Sequence, residues 1–141
     1  MNQSTKFSPS YGPSLLAFMA LAYFSILIAG CQPTLSFEKQ YSLTPADIMT
    51  LPIDPIGVEQ TIEVVATSAD DAQFSVHVYL AKDEDAAERA IATNAATDLI
   101  LASTADTASA NLSAKIPANE GTVVRFSAQG NSVTVNVAIN N

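Results

Sequence analysis

The chain is poor in the residues on which small sites are usually built. It holds one cysteine, Cys31, one histidine, His77, and no tryptophan. A lone cysteine excludes an intrachain disulfide, so a domain of this size must rest on its hydrophobic core, a marginal resource in a short chain. One histidine with one cysteine falls short of the three protein ligands that a zinc centre needs. Without tryptophan, a carbohydrate-stacking platform has little to build on. Basic residues are scarce too: six Lys and Arg stand against 14 Asp and Glu. Nucleic acid demands clustered Lys and Arg, and anionic lipid surfaces attract the same residues, so the charge balance argues against both partners. It fits a surface kept dispersed by self-repulsion. No Gly-x-Ser-x-Gly elbow, His-Glu-x-x-His helix or Gly-rich phosphate loop occurs.

What the chain does have is one long uncharged run, residues 15–31, ending at the only cysteine. Lys6 and the α-amino group precede it, and no acid occurs before Glu38. That order reads as a secretory signal. Its apolar core, residues 15–28, is shorter than the roughly 20 residues that cross about 30 Å of hydrocarbon. Pro33 follows at once and, lacking an N–H, cannot continue a helix. Lys6 favours a cytoplasmic N-terminus, which puts the remainder outside the cytoplasm.

Ile28, Ala29, Gly30 and Cys31 place an aliphatic residue and two small residues before the cysteine. This resembles the lipobox of bacterial lipoprotein precursors. The resemblance covers residues 1–31 and implies cleavage after Gly30, with a diacylglycerol thioether on Cys31 and acylation of its new amine. Stable anchoring takes more than one acyl chain, each methylene contributing about 0.8 kcal/mol, and such a lipid meets that need without a basic patch. By the same resemblance Gln32, standing where an Asp would favour inner-membrane retention, leans towards the outer membrane. The alternative is an uncleaved transmembrane anchor in which Cys31 is incidental.

The expected organisation is a signal peptide over 1–30, a lipidated cysteine and tether over 31–56, and a β-sandwich domain over 57–141. Pro33, Pro45, Pro52 and Pro55 recur in the tether and disfavour long helices and central strands. Its Phe37, Tyr41, Leu43, Ile48, Met49, Leu51 and Ile53 suggest that part of it packs along the domain, with one edge strand near residues 35–43. Beyond Gln60 the apolar period becomes two. Phe74, Val76, Val78 and Leu80 share one face, and Ala110, Leu112, Ala114 and Ile116 another. Val133, Val135, Val137 and Ile139 form a third set. Such alternation marks half-buried strands. Residues 61–67 and 122–128 fit as well, with Ile62, Val64, Val124 and Phe126 inward, and 99–102 reads as a short strand. Turns are expected at Asp70 and Asp71, at Gly121, and at Gly130 and Asn131, the last joining the final two strands as a hairpin. Residues 83–92 open with acids and read as a short inserted helix. There Asp85 and Glu88 resemble a capping box and Asp85 and Arg89 an i,i+4 pair. The fold expected is mainly β, a small antiparallel β-sandwich, immunoglobulin-like or jelly-roll-like.

Chemistry has few places to sit. The acids Asp83, Glu84, Asp85 and Glu88, joined by Asp70 and Asp71, are weak candidates for calcium, which wants six to eight oxygens, but a solvated helix start explains them equally. His77 lies near Ser75 and Asp71 in sequence, yet strand neighbours two apart point the same way without converging on a substrate. Tyr79 shares its face, with Tyr41 expected nearby. The reading is of a non-enzymatic, lipid-anchored envelope protein that needs no cofactor, reaches the membrane through its N-terminal lipid, binds no nucleic acid and displays an interaction or structural module. A calcium- or ligand-binding module over residues 83–88 is the alternative, and a hydrolase ranks last. The sequence identifies no protein or envelope partner.

Overall fold

Alternating strands with one buried face each need a second layer to bury against, and the computed structural model supplies it. It describes residues 34–45 and 47–141; the signal region and Cys31 lie outside the described residues. Eight strands run in chain order: β1 (Ser36–Leu43), β2 (Ile48–Ile53), β3 (Gln60–Ser68), β4 (Phe74–Leu80), β5 (Ile100–Thr107), β6 (Ser109–Ile116), β7 (Thr122–Ala128) and β8 (Val133–Asn140). A 3-10 turn (Ala81–Asp83) and one helix, α1 (Glu84–Thr93), stand between β4 and β5. One sheet has the order β1-β8-β3-β6 and the other β2-β7-β4-β5. Every pairing is antiparallel. This is the jelly-roll order, two interleaved Greek keys in a double sheet.

The expected inward sets meet between the sheets. Ile62, Val64, Phe74, Val76, Val78, Val124, Phe126 and Val135 are fully shielded from solvent. Each such side chain contributes about 1.5–3 kcal/mol relative to exposure. The flanking chain adds Leu43, buried, with Phe37, Tyr41, Met49, Leu51 and Ile53 packed against the same core.

Two expectations are corrected here. β1 is the edge strand expected near residues 35–43, with eight ladder positions, but β2, which falls in a stretch expected only as packed tether, is the edge strand of the other sheet with six. Proline density had weighed against strands, but Pro52 sits on β2, which pairs only with β7. A missing N–H costs nothing on the open side of an edge strand. The second correction concerns the final hairpin. Gly130 does adopt positive φ, at 79°, but β7 and β8 lie in different sheets. The turn carries the chain across the core, so the inward sets of the two strands face each other instead of sharing one surface. Alternation and turn chemistry are the same in both arrangements.

Helix α1 ends where Asn94 enters the left-handed region (φ 50°). The N–H of Asn94 reaches Ile91 O and that of Ala95 reaches Ala90 O at 2.9 Å, the double bond of a Schellman stop. The expected capping box is absent. Asp83 is the N-cap and makes no side-chain cap bond, Glu88 turns inward, and Arg89 donates to the Asp85 backbone carbonyl at 3.0 Å instead of to its carboxylate.

Candidate functional site

The outer face of the β2-β7-β4-β5 sheet is where polar side chains converge. On β4 the residues opposite the core set are Ser75, His77 and Tyr79; on β7 they are Val123, Arg125 and Ser127. The register pairs Ser75 with Ser127, His77 with Arg125 and Tyr79 with Val123. Helix α1 lies over this face because Ala87 and Ile91, one turn apart, pack on Tyr79 and Val123, with Leu99 closing the small cluster. Glu88 shares that helix face, so its carboxylate is delivered into the same place.

There both of its oxygens are engaged. Tyr79 Oη donates to Glu88 Oε1 at 2.6 Å, and Arg125 Nε lies 3.0 Å from each carboxylate oxygen. Arg125, only 7% exposed, also donates from Nη1 to Ser127 Oγ at 3.3 Å. Burial, and then the hydrogen bond to Glu88, push the Tyr79 phenol well above its ordinary range, so it remains a donor at any physiological pH. The group is a clasp that pins the helix to the sheet. Both carboxylate oxygens are engaged by Tyr79 and Arg125, while the Glu88 side chain stays 32% accessible.

His77 sits beside the clasp, half-buried. Its Nδ1 is buried and has no hydrogen-bond partner among the described residues. With Ala90, Ile91, Asn94, Thr97 and Ser103 it borders a cavity of about 270 Å³ under the helix C-terminus. Burial, followed by the neighbouring Arg125 charge, lowers its pKa against a smaller opposing pull from Glu88. The native state therefore holds the neutral imidazole while the unfolded chain takes up a proton near 6.5, the ordinary value. The resulting stability is present in full above 6.5 and drains as pH falls from there through the lower native value. The wild type is expected to lose melting temperature between pH 7.5 and 5.5 more steeply than His77→Gln, as measured by paired thermal melts. Parallel curves would contradict the assignment.

The other sequence candidates are scattered. Asp70 and Asp71 follow β3 at one end of the sandwich, whereas Asp83, Glu84 and Asp85 follow β4 at the opposite end. The carboxylate of Asp70 takes the Ser68 hydroxyl at 2.6 Å, and that bond lowers its pKa. Among the described residues no group of three His, Cys, Asp or Glu could hold a metal ion. Ser75, 1% exposed, accepts the Gln129 amide at 2.9 Å, which leaves it no path to a substrate. Tyr41 is not near His77: it lies on β1 in the other sheet, packed on the core and stacked against Phe37 at 6.5 Å. Arg125 escaped sequence reasoning altogether. The signal was the placement of Glu88 within the stripe of Ala87 and Ile91, a charge on a helix's buried side that implies a cation opposite.

A second concavity opens between the edge strands β1 and β2. It is a groove of about 330 Å³ bordered chiefly by Leu35, Phe37, Leu51, Ile53, Ile56 and Ile139, with Thr34, Asp54, Gln60 and Asn141 on its polar margin.

No protein-family model and no curated protein matches the chain. Among solved structures, the pre-peptidase C-terminal domain of a collagenase from Bacillus anthracis matches with a TM-score of 0.50 at 8% identity. The match covers 74% of this chain and 89% of that one. The likeness is one of fold.

Proposed function

We propose that this chain is a lipid-anchored protein of the bacterial cell envelope whose β-sandwich is a non-enzymatic interaction or structural module. The observation that carries the reading is the uncharged run ending in Ile28, Ala29, Gly30 and Cys31, with no other cysteine to compete for the lipid. The arrangement of the domain agrees with it. Strand β1 begins five residues after Cys31, so the anchor and the fold are nearly continuous. No helix of the described residues is long and apolar enough to cross a membrane. On this reading attachment is through the N-terminal lipid, with the domain outside the cytoplasm, and Gln32 inclines the placement to the outer membrane.

The non-enzymatic reading rests on how the reactive side chains are spent. Ser75 is held by Gln129, Glu88 by Tyr79 and Arg125, and His77 lacks an orienting carboxylate, which is the third member that an activated nucleophile requires. Calcium at residues 83–88 draws little support, because Glu88 is turned away from Asp83 and Asp85 into the clasp.

In a bacterial host, Cys31→Ser is expected to accumulate as an unprocessed precursor. Intact mass of the wild type should show the chain from Cys31 with added acyl mass. A wild-type protein with a free, unacylated N-terminus would overturn the proposal.

A further inference from the structure

We infer that the apolar groove between β1 and β2 holds one acyl chain of the lipid on Cys31, an inference that rests on the lipid-anchor reading above. The two strands are the edges of their sheets on the same side of the sandwich. There the sheets are not closed over each other, and Leu35, Phe37, Leu51, Ile53 and Ile139 line an unfilled apolar trough. Its volume, about 330 Å³, lies at the lower end of the range of about 300–1,000 Å³ typical of small-molecule sites. An elongated aliphatic chain suits such a trough.

Two features select the source of that chain. Thr34, on the rim, is three residues from Cys31. Three residues span at most about 11 Å when extended, so a chain carried on Cys31 is tethered at the mouth, and a short flexible tether supplies a millimolar effective concentration. The second feature is Asp54 on the rim, the one ionisable side chain bordering the groove. A free fatty acid would set its own carboxylate in the neighbourhood of this acid. An ester-linked or amide-linked chain has no such charge. The groove is therefore suited to a bound acyl group over a free one.

The test uses the full chain, processed and lipidated in cells fed 13C-labelled palmitate and purified in perdeuterated detergent. Intact mass is read first, then NOEs from labelled acyl methylenes to protein methyls. The inference expects cross-peaks to Leu51, Ile53 and Ile139, absent for the exposed Val65, which lies on the outer face of the β1-β8-β3-β6 sheet. Acyl mass without cross-peaks to the groove overturns the inference and leaves the anchor reading intact. Absence of acyl mass overturns both.

Discussion

A chain shortened to begin at Gly57 is expected not to fold, whereas one beginning at Thr34 melts in a single cooperative transition. The shortened chain keeps the region that alternation alone marks as the domain but loses β1 and β2, an edge strand from each sheet. With them go Leu43, 2% exposed, and the half-buried Phe37, Tyr41, Met49, Leu51 and Ile53. Full burial of one large apolar side chain contributes about 1.5–3 kcal/mol. With Leu43 counted fully and the other five at half, the loss is about 5–10 kcal/mol, against a total stability of about 5–15 kcal/mol for an ordinary domain. The remaining strands suffer as well. The central strands β8 and β7 become edges with bare inner faces and unpaired backbone groups, a template for aggregation. Far-ultraviolet circular dichroism melts and amide chemical-shift dispersion distinguish the two chains. A cooperative melt from residues 57–141 would show that β1 and β2 are accessory.

The same strands explain how far the fold was legible in the sequence. Where one face is buried and the other wet, period two is a direct imprint of the sheet, and β3, β6 and β8 were visible for that reason. Strand β4 was also visible through its valines and aromatics, although nearly all its residues are buried. β1 was legible as an edge strand near residues 35–43, but β2 was obscured because edge strands tolerate proline and because half-buried apolar residues mixed with Thr and Pro resemble a packed linker. Helix α1 was legible from its acidic start and thin apolar stripe. Partner choice between strands was not legible, as β7 and β8 illustrate: a turn reverses the chain, but the sheet that receives the next strand is decided by contacts far away in sequence. The polar site was half legible. His77 and Tyr79 were assigned to one face, while Arg125 was hidden because its ion pair spans 37 residues and no local pattern announces it.

That ion pair is where a single substitution outside the main core should do most harm. Glu88→Ala is expected to destabilise the domain by about 2–4 kcal/mol, somewhat below the 3–5 kcal/mol typical when one member of a fully buried pair is removed. The reduction follows from exposure: the Glu88 side chain is 32% accessible, though that of Arg125 is only 9%. Two groups are stranded at once. The guanidinium keeps its charge with only Ser127 Oγ left to accept from it, and the Tyr79 hydroxyl loses its acceptor on a residue that is otherwise fully buried. Glu88→Gln keeps an acceptor oxygen but no charge and should cost about half as much. The double variant Glu88→Leu with Arg125→Met removes both charges, so it should lie closer to wild type than Glu88→Ala does. Urea denaturation measures all three, and the cycle isolates the coupling. Amide exchange across Glu84–Thr93 should quicken in Glu88→Ala, since the small cluster of Tyr79, Ala87 and Val123 cannot hold the helix alone. A Glu88→Ala protein within about 0.5 kcal/mol of wild type, the range expected for an ordinary surface substitution, would mean that the apolar contacts carry the helix and the clasp merely decorates it.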